Sequence, residues 1–161
     1  MDALAEAILA ADKVFAIGVG RVLLSVQAIV KRLNHLGIRA WCVGDINEPA
    51  ITERDLLIVA SGSGESVVPL SIARVARMRG ARIAHIGSNM ESQLAPLADL
   101  CVRLPVRTRL SRPDEIPSAQ IMTSLFEQGL LILGDALALI LKDRLGIQDV
   151  DTLWQFHANL E

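Results

Sequence analysis

The chain of 161 residues is 52 % apolar and 21 % charged, enough to fill one core and unlike a disordered or fibrous chain. Lys plus Arg number 16 against 18 Asp plus Glu, a formal charge of −2 that lacks the footprint of a nucleic-acid binder and leaves any anionic ligand to be held locally. A mean hydropathy of +0.41 arises from short apolar runs broken by Gly, Asp or Arg before the roughly 18 residues that a membrane-spanning helix needs, so no span is expected.

The first residues, Met1-Asp2-Ala3-Leu4-Ala5-Glu6, are acidic where a secretory signal is basic, which makes the cytoplasm the expected compartment. A strand over 14–18 precedes a helix over 21–36, and a second strand is expected over 38–43. Residues 55–60 are apolar on both faces, as in a central parallel strand. The helix over 66–78 ends at Arg79-Gly80, where a basic residue and a glycine suit a C-terminus. A fourth strand over 82–87, a short helix near 92–97 and a fifth strand over 100–104 follow. Residues 105–119 hold three prolines and three arginines without a clear period and read as one long loop, a length that often carries function. A long apolar helix over about 124–145 and a short one over 150–156 close the chain. Cys42 and Cys101 lie in apolar stretches without a CxxC or Cys/His cluster, so buried thiols are expected rather than a disulfide or a metal site.

Strict strand-helix alternation predicts an α/β fold, a three-layer αβα sandwich on a five-stranded parallel sheet of flavodoxin-like order 2-1-3-4-5, as one domain over 1–161. The helix over 125–141 is apolar nearly all round, more than one sheet face covers, so part of it is expected to pack on another copy in a homo-oligomer.

In such a sheet ligands bind beyond the carboxyl ends of the strands where the order reverses, here between the first and third. Two glycine-rich exits face each other there, Gly18-Val19-Gly20-Arg21 and Ser61-Gly62-Ser63-Gly64-Glu65-Ser66. A small hydroxylic loop leading into a helix is where free amides and the positive end of the dipole meet a phosphate, and Ser61, Ser63 and Ser66 add hydroxyl donors. The plainer alternative is a helix cap and a chain turn. Gly18-Val19-Gly20 begins like a dinucleotide fingerprint, but the third glycine position is Leu23 and no GK[ST] occurs, so neither nicotinamide, flavin nor Walker-type binding is expected.

Moving a carbonyl between adjacent carbons requires a base that takes the α proton and returns it to the neighbour. Glu127, one turn into an apolar helix, suits this if burial lifts its pKa; the alternative is a capping box, Ser124-Leu125-Phe126-Glu127, in which the carboxylate reaches back to the Ser124 amide. His157, near the C-terminus, is either a solvated histidine or an acid that opens a cyclic sugar. His35 and His85 read as structural. Arg21 projects from the first turn of its helix toward the presumed phosphate or else pairs with Asp45 or Glu48. Arg107, Arg109 and Arg112 on the long loop gather an anion or stand exposed. Gln120 and Ser124 border Glu127, and Asp135 reads as an interfacial or capping residue.

The loop Ser61-Gly62-Ser63-Gly64-Glu65-Ser66 resembles the SxSGE[ST] phosphate loop of the sugar isomerase (SIS) domain family. Within that family the 6-phospho-3-hexuloisomerases are most similar, through Gly18-Val19-Gly20-Arg21, Arg32-Leu33-Asn34-His35-Leu36-Gly37, Val43-Gly44-Asp45, Ser124-Leu125-Phe126-Glu127-Gln128 and the tail His157-Ala158-Asn159-Leu160-Glu161, nearly the whole chain. The resemblance implies interconversion of hex-3-ulose 6-phosphate and fructose 6-phosphate without metal or cofactor. It implies a phosphate on Ser61, Ser63 and Ser66 with Gly20 and Arg21 beside it, sugar contacts from Glu65, Gln120 and Ser124, and Glu127 as enediolate base. It also implies a tetramer or dimer in which His157 reaches a site across a subunit boundary. The chain departs from the family pattern at Val22, where serine is common, at Leu23, where glycine is usual, at Ile46-Asn47-Glu48, and in an N-terminal helix expected to be mostly missing. Two other readings are an isomerase for another sugar phosphate, such as arabinose 5-phosphate, and a sensor that binds a sugar phosphate without turnover.

Overall fold

A computed structural model of the chain describes residues 1–160. In chain order the elements are α1 (Asp2–Ala10), β1 (Val14–Ile17), α2 (Arg21–His35), β2 (Ala40–Cys42), β3 (Leu56–Ala60), α3 (Val67–Met78), β4 (Arg82–Gly87), β5 (Leu100–Arg103) and α4 (Ser124–Arg144), with 3₁₀ turns at Ala95–Leu97 and Val150–Phe156. The strands form one parallel sheet, β2-β1-β3-β4-β5, the order that strand-helix alternation predicts. Successive side chains leave a strand on opposite faces. Val14 and Ala16 of β1 and Leu56, Ile58 and Ala60 of β3 therefore join α1, α2 and α4 on one side, while Phe15, Ile17, Leu57 and Val59 meet α3 on the other. β3 is buried along its whole length, which is why its sequence is apolar without alternation.

A short N-terminal helix precedes β1. α1 runs nine residues, and Leu4, Ala5, Ala7 and Ile8 are buried because their spacing puts them on one helical face, against α4 and β5. Arg144 anchors it by pairing with Asp2 at 2.7 Å and with Glu6 at 3.6 Å. α1 and α2 thereby cover much of α4, and Gly134 lets Ile29 approach so closely that a Cβ there would stand 2.3 Å from Ile29 Cγ1. Ile132 and Leu139 stay 69 % and 66 % exposed. Contrary to the expectation of early breaks, α4 is long and apolar enough to cross a bilayer by length and composition; Phe126, Leu130, Leu137 and Leu141 are instead buried in the core.

Other expectations shift for local reasons. β2 is shorter than 38–43 because Gly37, at φ +78°, closes α2 and the Ile38 amide is spent on the Leu33 carbonyl. Asn34 brackets Ala40 from both sides, donating to its carbonyl at 3.0 Å and accepting from its amide at 3.1 Å. Cys42 is buried, and burial, with Asp45 nearby, pushes its thiol up to about 11. Cys101 is exposed rather than buried, because β5 is an edge strand on which Cys101 and Arg103 face outward. Residues 105–119 are an ordered loop: Val106 bridges Ile116, and the buried Glu115 carboxylate accepts from Thr108 Oγ1 at 2.7 Å and from the Thr108 and Arg112 amides. Burial acts to raise the Glu115 pKa, yet these bonds hold it below the ordinary value.

Candidate active site

The order reverses at β1, and the exits of β1 and β3 lie side by side. After β3 the chain turns through a serine-rich loop in which Ser61 and Ser63 are buried and Ser66 begins α3. Ser66 makes no side-chain cap bond to the helix. Its hydroxyl instead accepts from Ser61 Oγ at 3.3 Å, while Ser61 and Ser63 hydroxyls accept from the Gly64 and Glu65 amides, each at 3.2 Å. The first amides of α3 have no intrahelical partner and lie at the positive end of its dipole. Gly64, at φ +67°, supplies the left-handed turn.

Gly62 joins this loop to α4. A Cβ at Gly62 would stand 3.0 Å from Thr108 Cγ2 and 3.5 Å from the Phe126 ring, so the missing side chain lets the start of α4 press on the loop. The next residue, Glu127, has a side chain only 8 % exposed. Its Oε2 accepts from Arg21 Nε at 2.6 Å and its Oε1 from Thr123 Oγ1 at 2.9 Å, while Ser25 Oγ donates to its carbonyl at 2.8 Å. The capping-box alternative is overturned. Thr123 is the N-cap residue, and the Ser124 hydroxyl donates back to the Ile121 carbonyl at 2.8 Å. Arg21 pairs with neither Asp45 nor Glu48, which accept from the Cys42 and Gly44 amides. It bridges the α2 and α4 termini beside a cavity of about 460 Å³ lined by Gly20, Arg21, Val22, Met122, Thr123 and Glu127. Gly20, at φ +58°, makes the turn into α2.

The remaining candidates divide. Glu65 is turned away from this cavity onto Gln93, accepting from its amide at 2.9 Å and its Nε2 at 2.7 Å. Ser124 lines the cavity; Gln120 is exposed and donates to Gln128 Oε1 at 3.1 Å. His157 lies elsewhere. Its ring stacks on His35, centroids 5.4 Å apart, with Trp154 at 5.3 Å, at the end of α2 opposite Arg21. Fourteen residue steps along α2 separate Arg21 from His35, about 20 Å at ~1.5 Å per residue. A larger cleft of about 700 Å³ lies there, lined by His35, Asp135, Leu139, Trp154 and His157, and it shares no residue with the Glu127 cavity. Burial, then Lys31, Arg32 and His157, depress the His35 pKa. Asp135 pairs with Arg32 at 3.6 Å. On the long loop, Arg107 donates to the Ser118 carbonyl and Arg112 pairs with Glu91 and Asp114.

Sequence reasoning missed Thr123, although a hydroxyl four residues before Glu127 on a helix start is within reach of it. It also missed Asn89, whose side chain donates to the Ser63 carbonyl across 26 residues of sequence, a contact that no local pattern signals. Among the described residues no group of three or more His, Cys, Asp or Glu side chains is placed to hold a metal ion.

No family model matches the chain. A solved structure from Methanococcus jannaschii, with an inferred molecular function of 3-hexulose-6-phosphate isomerase, superposes with a TM-score of 0.88 at 30 % identity, covering 99 % of this chain and 85 % of that one. The sheet order, the two facing exits and this likeness define a phosphosugar isomerase fold of the SIS type. Among curated proteins, the 3-hexulose-6-phosphate isomerase of Bacillus subtilis is 38 % identical over 99 % of this chain and 86 % of its own length. That of Mycobacterium gastri is 39 % identical over 98 % of this chain and 78 % of its own. The chain belongs to the 3-hexulose-6-phosphate isomerase family.

Proposed function

We propose that this protein interconverts hex-3-ulose 6-phosphate and fructose 6-phosphate through an enediolate, without cofactor or metal, as a cytoplasmic homo-oligomer. The observation that carries the reading is the buried Glu127 carboxylate, one residue from the ring that packs on the serine-rich loop and open to a cavity of about 460 Å³. The phosphate docks on Ser61, Ser63, Ser66 and the first amides of α3, where hydroxyls and the helix dipole favour a dianion. Glu127 takes the proton from carbon 2, beside the carbon 3 carbonyl, and an enediolate forms over the two carbons. The hydroxyl proton passes from O2 to O3, and Glu127 returns its proton to carbon 3, leaving the carbonyl at carbon 2. The atoms balance with no external oxidant. The Arg21 guanidinium, 2.6 Å from Glu127, stands where it can follow the negative charge from carboxylate to substrate oxygen.

His157 of the same chain is about 20 Å from Arg21 along α2. We therefore assign the acid that opens the sugar ring to His157 of a second copy in a dimer or tetramer, seated on the exposed Ile132 and Leu139 face of α4. Glu65, Gln120 and Gly20 complete the proposed substrate contacts, with Glu65 released from Gln93 on binding. One observation favours a sensor without turnover: Val22 lines the cavity where a hydroxyl is common in the family. Coupled detection of fructose 6-phosphate formed from hex-3-ulose 6-phosphate tests the choice. Turnover supports the isomerase, and thermal stabilisation by fructose 6-phosphate without turnover supports the sensor.

A further inference from the structure

Beyond the exposed Arg82 that opens it, β4 is buried and its single polar side chain is His85. His85 is 0 % exposed between Ala84 and Ile86, and its Nε2 lies 3.0 Å from the Ser61 carbonyl oxygen. A carbonyl only accepts, so Nε2 carries the hydrogen and donates it, and the neutral ring leaves a lone pair on Nδ1, which is buried without a partner among the described residues. Burial depresses the pKa of the ring, in keeping with this single tautomer. The site is cut to fit the imidazole. A Cβ on Gly87 would stand 2.4 Å from His85 Nε2 and 2.5 Å from the Ser61 carbonyl oxygen, and one on Gly64 3.3 Å from His85 Cε1.

The neighbouring carbonyls are held from the same side. The Gly62 carbonyl accepts from the Ser88 amide at 2.9 Å and the Asn89 amide at 3.1 Å, and the Ser63 carbonyl accepts from Asn89 Nδ2 at 3.2 Å. Three successive carbonyls of the loop thus point toward the exit of β4. In a trans peptide the carbonyl and the following N–H point in opposite directions. Drawing the carbonyls of residues 61 and 62 toward β4 turns the amides of residues 62 and 63 away from it. The third amide, of Gly64, is held within the loop by the Ser61 hydroxyl and carbonyl. A phosphate approaching a backbone meets repulsive carbonyls unless they are turned away, and an unpartnered buried ring nitrogen is a cost that an apolar residue would avoid.

We propose that His85 is a positioning residue that aims the Gly62 amide at the sugar phosphate by pinning the Ser61 carbonyl. This rests on the reading of residues 61–66 as the phosphate site. The test compares the parent with His85→Leu, which fills the space without a donor, and with His85→Gln, whose Nε2 can replace the ring nitrogen as donor. Ser63→Ala reports on the loop itself. For each, KM and kcat on hex-3-ulose 6-phosphate and the Kd of fructose 6-phosphate by calorimetry are measured, with thermal unfolding as the fold control.

His85→Leu is expected to weaken fructose 6-phosphate binding and raise KM about tenfold while kcat stays within about twofold, and His85→Gln to restore both values. A folded His85→Leu with parental KM and Kd, or a His85→Gln no better than His85→Leu, overturns the proposal for His85. Should His85→Leu fail to fold, His85→Met, similar in volume and also without a donor, takes its place, and parental KM and Kd there overturn the proposal. If Ser63→Ala binds fructose 6-phosphate as the parent does, the phosphate reading itself has failed. If Ser63→Ala alone loses affinity, that reading survives and the positioning role is refuted.

Discussion

Replacing Glu127 with Gln separates the chemistry of the carboxylate from its structural role. The carboxylate accepts from Arg21 and from Thr123. In the amide, one orientation keeps both contacts, because the remaining oxygen faces Arg21 while the new NH2 donates to Thr123 Oγ1, which can accept. What is lost is the charge on one side of an ion pair whose arginine is 68 % exposed and therefore screened. The stability cost is then about 1 kcal/mol, a fall in Tm of about 2–4 °C. The amide cannot remove a proton from carbon 2, and losing a general base costs about 10²–10⁴ in rate. Glu127→Gln should therefore melt close to the parent, bind fructose 6-phosphate with nearly parental affinity, and form fructose 6-phosphate from hex-3-ulose 6-phosphate at least about a hundredfold more slowly. A folded variant turning over within about threefold of the parent would remove Glu127 from the mechanism.

Ser63→Ala should weaken fructose 6-phosphate binding by about 1–2 kcal/mol through one lost charge-assisted hydrogen bond, read by calorimetry, with binding of unphosphorylated fructose unchanged. Stability should depend on pH through His85. Its folded pKa lies below the unfolded value near 6.5, so its contribution is complete above about 6.5 and is lost as the pH falls from there through the folded value, at up to about 1.4 kcal/mol per pH unit. Urea unfolding between about pH 5 and 7.5 should show a shallower slope in His85→Gln; parallel slopes would mean that the ring titrates alike folded and unfolded. Light scattering should return a mass of two or more 17.4 kDa chains for the parent and a lower one for Ile132→Asp with Leu139→Asp. A parent at the single-chain mass would refute the second-copy role of His157.

The sheet was legible in the sequence because its central strands are buried on both faces and read as unbroken apolar runs, as Leu56 to Ala60 does. Strand order puts the exit of β1 beside the hydroxyl-rich exit after β3, as the alternation in the sequence predicts, and the proposed site rests on that adjacency. Where a local pattern left two readings open or misled, tertiary placement decided. Ser124 to Glu127 has the spacing of a capping box, yet Arg21, 106 residues away, and Thr123 take the carboxylate instead. α1 had the right period in Leu4, Ala5 and Ile8, but its worth lies in covering α4, which no window of nine residues reveals. Cys101 was misread because an apolar neighbourhood does not distinguish an edge strand from a central one.

The most direct measurement is a crystal structure with fructose 6-phosphate bound. The account predicts the phosphate on the hydroxyls of Ser61, Ser63 and Ser66 and the first amides of α3, with carbons 2 and 3 of the sugar beside the Glu127 carboxylate. A sugar phosphate seated instead in the cleft between His35 and Trp154, with the serine loop unoccupied, would contradict it.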